Sequence, residues 1–260
     1  MTTAVVRITA AALSDRGRKR TSNEDAFGYS VEHGIYLVCD GMGGAAAGEI
    51  ASSLAVEEVL RLVTERCEAS NGEAPLAAIA EEAVAAANLA IQSRAQRNPR
   101  LNGMGTTLVG LLVGPPDGQQ RAYILNVGDS RCYRLRNRHL ELCTTDHSLV
   151  EEQVRIGRIT RAQAARSPFR NVITRALGTQ RSVTPDVIES DVEPGDVFLL
   201  CSDGLSRELS DSQIESILNM TTGGLNPAPT SLDVLCGRLI QAANKAGGHD
   251  NITSLIVRVD

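Results

Sequence analysis

The chain has 260 residues, 42% of them hydrophobic, with 3% aromatics and no tryptophan, so its core must be aliphatic and alanine-rich. A net charge of -5 without a basic cluster argues against nucleic acid and against an anionic membrane surface as partners. No apolar run is long enough to span a bilayer, the N-terminus lacks a signal-peptide h-region, and six scattered cysteines show no CxxC spacing, so the expectation is a soluble, reduced, cytoplasmic protein.

Residues 4–13 predict a short, alanine-rich first strand. A charged loop follows, in which Arg16, Arg18, Lys19 and Arg20 precede Glu24 and Asp25, and residues 26–30 predict a second strand. Most such charge runs are solvated turns; the functional alternative is an arginine for an oxyanion beside carboxylates for a metal. Residues 35–39, Ile-Tyr-Leu-Val-Cys, carry β-branched and aromatic side chains without polar alternation and read as a buried strand. That strand ends in Asp40, followed by Gly41, Gly43 and Gly44. Glycines there let the backbone turn sharply and bring its carbonyls close to a ligand. Asp40 is then either the cap of a tight strand-to-helix turn or a ligand for a hard cation, which takes oxygen donors.

Beyond the glycines a helix is predicted over 45–64, with Ala51, Ala55, Val59 and Leu62 on one face and Glu49, Glu57, Glu58 and Arg61 mostly opposite. Pro75 marks the start of a second helix, whose stripe is Leu76, Ile79, Ala80, Ala83, Ala87, Ala90 and Ile91. Both stripes read as packing. Strands then dominate: 106–113, a Pro-Pro-Asp-Gly turn at 115–118, 122–127, a Gly-Asp-Ser turn at 128–130, and 131–135. The short turns predict two successive antiparallel hairpins. Asp129 at the second tip is also ordinary turn chemistry.

From 146 to 179 the texture becomes polar and rich in arginine, after a helix start at Asp146-His147-Ser148. This segment reads as an inserted flap whose arginines either guide an anionic substrate or solvate a loop. Strands resume over 183–191 and 197–201, the latter ending in Ser202-Asp203-Gly204 and repeating the device at Asp40. Helices over 211–220 and 232–245 and a last strand over 252–259 close the chain, the strand preceded by His249-Asp250-Asn251. No linker separates two cores, so one domain of layered helices and strands is expected.

Glu24, Asp25, Asp40, Asp129, Asp203 and Asp250 all lie at or beside predicted strand ends, next to Gly, Ser or Asn. Carboxylates converging from strand ends repel one another and resist desolvation unless cations neutralise them. An all-oxygen set favours Mg²⁺ or Mn²⁺ over zinc. Two such ions ~3.5–4 Å apart are a recurrent device for phosphoester hydrolysis. Arg20 is the candidate for bidentate contact with a phosphate.

Six motifs occur in the order and approximate spacing of the type 2C, metal-dependent serine/threonine phosphatases, and the chain resembles the bacterial members of that family. They are Arg20-Thr21-Ser22-Asn23-Glu24-Asp25, Asp40-Gly41-Met42-Gly43-Gly44, Gly105-Thr106-Thr107, Val127-Gly128-Asp129-Ser130-Arg131, Ser202-Asp203-Gly204 and His249-Asp250-Asn251. The resemblance covers nearly the whole chain. It implies an α+β fold, a four-layer α-β-β-α sandwich of two antiparallel β-sheets flanked by helices, as a single catalytic domain over 1–260 with its flap at about 146–179. It further implies that Asp40 bridges two Mn²⁺ or Mg²⁺ ions, that Glu24 holds one of them mostly through water, and that the Gly41 carbonyl is a ligand. Asp203 and Asp250 would hold the other ion, and Asp129 with Asp203 a weaker third. Arg20 would bind the substrate phosphate, Asp25 would support the ligands, and a bridging hydroxide would attack phosphorus directly. The implied partners are phosphorylated proteins, including substrates of a cognate Ser/Thr kinase and the kinase itself, met by a monomer.

The chain departs from the family at two places. Relatives place a histidine, proposed as general acid, where this chain has Met42 or Ala45, so protonation by metal-bound water is the expected substitute; His147 and His249 are the remaining nearby histidines. Arg207 stands where some members carry a further acidic ligand. Competing readings are a metal-binding pseudophosphatase acting as a regulatory interaction module, and a phosphatase of small metabolites.

Overall fold

An apolar strand without polar alternation must be covered on both faces. The computed structural model, which describes residues 7–70, 75–114, 121–222 and 230–260, covers such strands with a second sheet on one side and helices on the other. In chain order, β1 (Ile8–Asp15), β2 (Asp25–Ser30) and β3 (Ile35–Met42) lead into α1 (Ala45–Ala69) and α2 (Leu76–Arg97). Five strands follow: β4 (Gly105–Thr106), β5 (Leu108–Val113), β6 (Arg121–Val127), β7 (Arg131–Arg136) and β8 (His139–Leu142). Two short helices, α3 (Leu149–Arg155) and α4 (Arg161–Ala165), precede β9 (Asp186–Asp191) and β10 (Val197–Cys201). Then come α5 (Asp203–Ser206), α6 (Asp211–Leu218), α7 (Leu232–Ala246) and β11 (Ile252–Val259).

One sheet has the order β1-β11-β10-β7-β8 and the other β2-β3-β5-β6-β9, with β4 added to β3; every ladder is antiparallel. Successive residues of each central strand serve different layers, as the two-residue period of a strand requires. Tyr36, Val38, Val109, Leu111, Phe198, Leu200, Leu255 and Val257 fill the space between the sheets. Ile35, Leu37, Cys39, Leu108 and Leu125 face outward onto α1 and α2. Leu199, Cys201, Ile252 and Ile256 pack on α6 and α7 on the opposite side. The result is the α+β four-layer sandwich that the family resemblance implies. Each large aliphatic side chain so buried stabilises the fold by ~1.5–3 kcal/mol.

The helical stripes sit where their periodicity puts them: Ala51, Ala55, Val59, Ile79, Ala83, Ala87 and Ile91 are buried, while Glu49, Glu57 and Arg61 are exposed. Pro75 is the N-cap residue of α2, and Ser148 caps α3, its Oγ accepting from Glu151 N. The first strand begins at Ile8 and runs to Asp15; residues 1–6, the turn at 115–118 and most of the loop before α7 lie outside the described residues.

Three expectations need correction. The second predicted hairpin does not exist, because β6 and β7 belong to different sheets and Gly128-Asp129-Ser130 is a crossover between layers. Gly128, at φ 110° with Thr107 packed against its α-carbon, allows that crossing where a side chain would collide. Instead β7 pairs with β8, a short, largely exposed strand of mixed polarity that lacks an apolar signal. The predicted strand 106–113 is broken at Thr107, leaving β4 and β5. The predicted strand 183–191 begins only at Asp186, immediately after Pro185, which has no N–H to donate to a ladder.

Candidate metal centre

The break at Thr107 has a consequence for Asp40. Thr107 Oγ1 accepts from Asp40 N at 2.9 Å, while the Asp40 carbonyl accepts from Thr107 N and Thr106 Oγ1, each at 2.9 Å. Thr107 Oγ1 also shares a 2.7 Å bond with Ser130 Oγ. One hydroxyl pair therefore links the end of β3, which carries Asp40, to the crossover, which carries Asp129. Next to Asp40, Gly41 N donates to the Glu24 carbonyl at 3.1 Å. A β-carbon on Gly41 would lie 2.2 Å from the Gly48 carbonyl oxygen and 2.5 Å from that of Glu24, so only glycine fits between α1 and the charged loop.

The charged loop is tied down by Asn251. Its Oδ1 accepts from Glu24 N at 2.8 Å, and its Nδ2 donates to the carbonyls of Ser22 at 2.8 Å and Arg16 at 3.0 Å. Asp25 sits directly opposite Asp40 in the β2–β3 register. Its Oδ2 accepts from Ser202 Oγ at 2.7 Å and from Thr253 Oγ1 at 2.6 Å, joining the two sheets beneath the site. Asp203 opens α5 just after β10, and Asp250 immediately precedes Asn251.

The carboxylates thus converge from strand ends of both sheets. Burial pushes the Asp40 carboxyl well above the usual carboxylate range, and Asp25, Asp203, Asp129 and Asp250 add repulsion. Burial likewise raises Asp203 to about 7 and Asp25 to about 6. Asp129 and Glu24 are also raised, burial again being the largest cause. Three carboxylate oxygens, Oδ1 of Asp25, Asp129 and Asp203, are buried without a hydrogen-bond partner. Unpartnered buried acid oxygens and mutual repulsion are the two strains a divalent cation relieves, and an all-oxygen donor set suits Mn²⁺ or Mg²⁺.

The neutralising charges within the structure are arginines. Arg207 reaches Asp129 Oδ2 with Nη2 at 2.8 Å and Asp203 Oδ2 with Nη1 at 2.5 Å. Arg20 Nη2 lies 2.7 Å from Asp250 Oδ2 and is half-exposed. Among the described residues no three His, Cys, Asp or Glu side chains close around one point in ligating geometry. Beside Asp129, Asp203 and Arg207 opens a cavity of about 330 Å³, walled on the far side by Glu151, Arg161 and Arg170 of the 146–179 segment.

All four histidines are engaged away from these carboxylates. Gly128 N donates to His147 Nδ1 at 3.1 Å, which leaves the ring proton on Nε2, 3.2 Å from Asp186 Oδ2. His249 Nδ1 meets Glu208 Oε1 at 2.6 Å, His33 meets Ser30 and Glu68, and His139 faces Glu215. The residues that sequence reasoning left without a role are Thr107, Ser202, Asn251 and Thr253. Their signal was present, as polar side chains at the ends of apolar strands, but nothing local said which backbone or carboxylate each would meet.

Residues 15–233 match the sequence pattern of the family described as Protein phosphatase 2C. The serine/threonine phosphatase stp of Listeria monocytogenes is 37% identical over 253 residues, spanning 95% of this chain and 94% of its own. The crystal structure of the Mycobacterium tuberculosis serine/threonine phosphatase PstP/Ppp superposes with a TM-score of 0.84 at 36% identity, over 96% of this chain and 98% of that one. A crystal structure of the catalytic domain of PstP in complex with two manganese ions gives a TM-score of 0.81 at 35% identity, over 98% and 99% of the two chains.

Proposed function

The chain belongs to the protein phosphatase 2C family, and on that premise we propose how its centre acts on phosphoserine and phosphothreonine in proteins. It is a divalent-metal-dependent serine/threonine phosphatase. In our reading Asp40, Glu24, the Gly41 carbonyl, Asp203 and Asp250 are the groups that would hold two cations. The observation that supports this is the buried, unpartnered Oδ1 of Asp203 together with a carboxyl, Asp40, whose ionisation is opposed by burial and by repulsion from the neighbouring acids, Asp203 and Asp250 among them. Divalent cations held there would supply an activated water for attack on phosphorus and would offset the charge that develops on the leaving oxygen.

The chain's own residues orient the reactants. Arg20, at the exposed edge of the charged loop, grips the substrate phosphate bidentately, and Asp250 holds that guanidinium in place until substrate arrives. Asp25, fixed by Ser202 and Thr253, keeps Asp40 at its depth between the sheets. With Met42 and Ala45 in the glycine turn that follows Asp40, no histidine stands in that turn, and in this reading water would supply the proton for the departing serine or threonine oxygen. Phosphorylated substrates of a cognate kinase, and the kinase itself, are the partners that fit a centre open to solvent beside the 146–179 flap.

The test is release of phosphate from a phosphothreonine peptide by the wild type with Mn²⁺, with EDTA, and by Asp40→Ala. Turnover that needs both the ion and Asp40 supports the assignment. Mn²⁺ binding without turnover would instead point to a regulatory module, and turnover that survives Asp40→Ala would overturn the centre as drawn.

A further inference from the structure

Resting on that two-cation reading, a third ion would need Asp129 and Asp203 as its ligands, and in this chain that pair is already bridged. Arg207 follows Asp203 by four residues, one helical turn, so its side chain reaches back over the turn that begins at Asp203. Its backbone N donates to the Asp203 carbonyl at 2.8 Å, which fixes the base of the side chain. Its two terminal nitrogens then divide between Asp203 Oδ2 and Asp129 Oδ2. Both carboxylates are almost wholly buried, Asp129 at 4% exposure and Asp203 at 7%, while Arg207 is itself exposed and reaches them from the solvent edge.

A guanidinium in that position differs from an ion in three ways. It is permanently charged, it offers only donors, and it cannot dissociate from the chain. A cation arriving between Asp129 and Asp203 would have to displace it from both carboxylates at once and would meet its charge at close range. We propose that Arg207 is a resident cation that replaces the third metal, clamping Asp129 to Asp203. The Oδ1 atom of Asp203, which Arg207 leaves unpartnered, remains available to the two-ion centre.

The clamp also faces the cavity bounded by Arg131, Arg161 and Arg170. Arg131 is bound bidentately by Asp146, and Arg161 by Glu151, so Arg207 is one of several cations there that are balanced within the chain. Arg207 is therefore read as a structural and electrostatic positioning residue rather than one that touches substrate.

The experiment counts Mn²⁺ bound per chain, by titration calorimetry and by metal analysis after gel filtration, for the wild type, Arg207→Asn and Arg207→Asn/Asp129→Asn. The expected result is two ions for the wild type, three for Arg207→Asn, and two again for the double variant. In the metal-free state Arg207→Asn should melt below the wild type, and added Mn²⁺ should raise its midpoint more than the wild type's. Should Arg207→Asn not fold, Arg207→Gln, closer in length and still a donor, is expected to give the same gain of one ion. Equal counts in the wild type and the Arg207 variant would overturn the proposal, as would a third ion in the wild type that Asp129→Asn removes. Fewer than two ions on the wild type would count against the two-ion centre itself, independently of what the variants show.

Discussion

Replacing Asn251 by alanine tests whether the charged loop owes its place to one side chain. Asn251 is 5% exposed and makes three bonds to backbone groups: it accepts from Glu24 N and donates to the carbonyls of Ser22 and Arg16. At ~0.5–1.5 kcal/mol for each bond lost, with the Glu24 N–H left unpaired, the variant should be less stable by about 2–4 kcal/mol. At ~2–4 °C per kcal/mol for a domain of roughly this size, the melting midpoint should fall by about 4–16 °C. The fold should survive, because Arg18 N still donates to the Gly248 carbonyl at 2.7 Å and Gly17 N to Asp15 Oδ1 at 2.8 Å. Function should suffer where the loop carries it: KM for a phosphopeptide rises through Arg20, and Mn²⁺ binding weakens through Glu24. Guanidinium denaturation gives the stability, and initial rates across peptide and Mn²⁺ concentrations give the rest. A loss below about 1 kcal/mol would refute the anchoring role. A full loss of stability with unchanged KM and Mn²⁺ affinity would refute the link from anchor to site.

Metal removal should invert the pH dependence of stability. Asp25 and Asp203 stand at about 6 and 7 in the folded chain against 3.8 ordinarily, so between about pH 4 and 7 the folded state holds more protons than the unfolded one. Stability of the metal-free protein is then greatest at the acid side of that window and falls as pH rises through it, and the stabilisation by Mn²⁺ grows over the same range. Melting curves in EDTA and in Mn²⁺ from pH 5 to 8 check this, and a metal-free midpoint that climbs with pH would contradict it. At another end of the β7 sheet, Asp196, whose side chain is fully buried, accepts from Arg136 Nε and Nη2 at 2.7 Å each and from Glu193 N at 2.9 Å. Asp196→Ala should cost about 2–4 kcal/mol in guanidinium denaturation, tempered because Arg136 keeps Asp191 and Glu193 as partners. An unchanged denaturation midpoint would show that those two acids take over the charge completely.

How much of this was legible in the chain depended on the range of the physics involved. The unbroken apolar runs at 35–39 and 197–201 announced strands covered on both faces, and both are interior strands of their sheets. The alanine stripe of α2 and the proline before it located that helix to within a residue. Glycine beside Asp40, and again beside Asp203, marked turns where backbone and carboxylate come close together. These are statements about neighbours in sequence, set by side-chain periodicity and backbone sterics, and composition and spacing carry them. The Gly128-Asp129-Ser130 turn misled because a short polar turn looks the same whether it folds a hairpin or hands the chain from one sheet to the other. Only the packing of β7 against β10 decides between the two. Asn251 could not be paired with the loop 227 residues earlier, nor Arg207 with Asp129, because such pairings are set by distance in space. The sequence by itself determined the strand-end carboxylates, the longer helices and the family. Tertiary structure alone decided which acids share buried space, and with it that the guanidinium of Arg207 lies across Asp129 and Asp203, since desolvation and Coulomb energy depend on the assembled site.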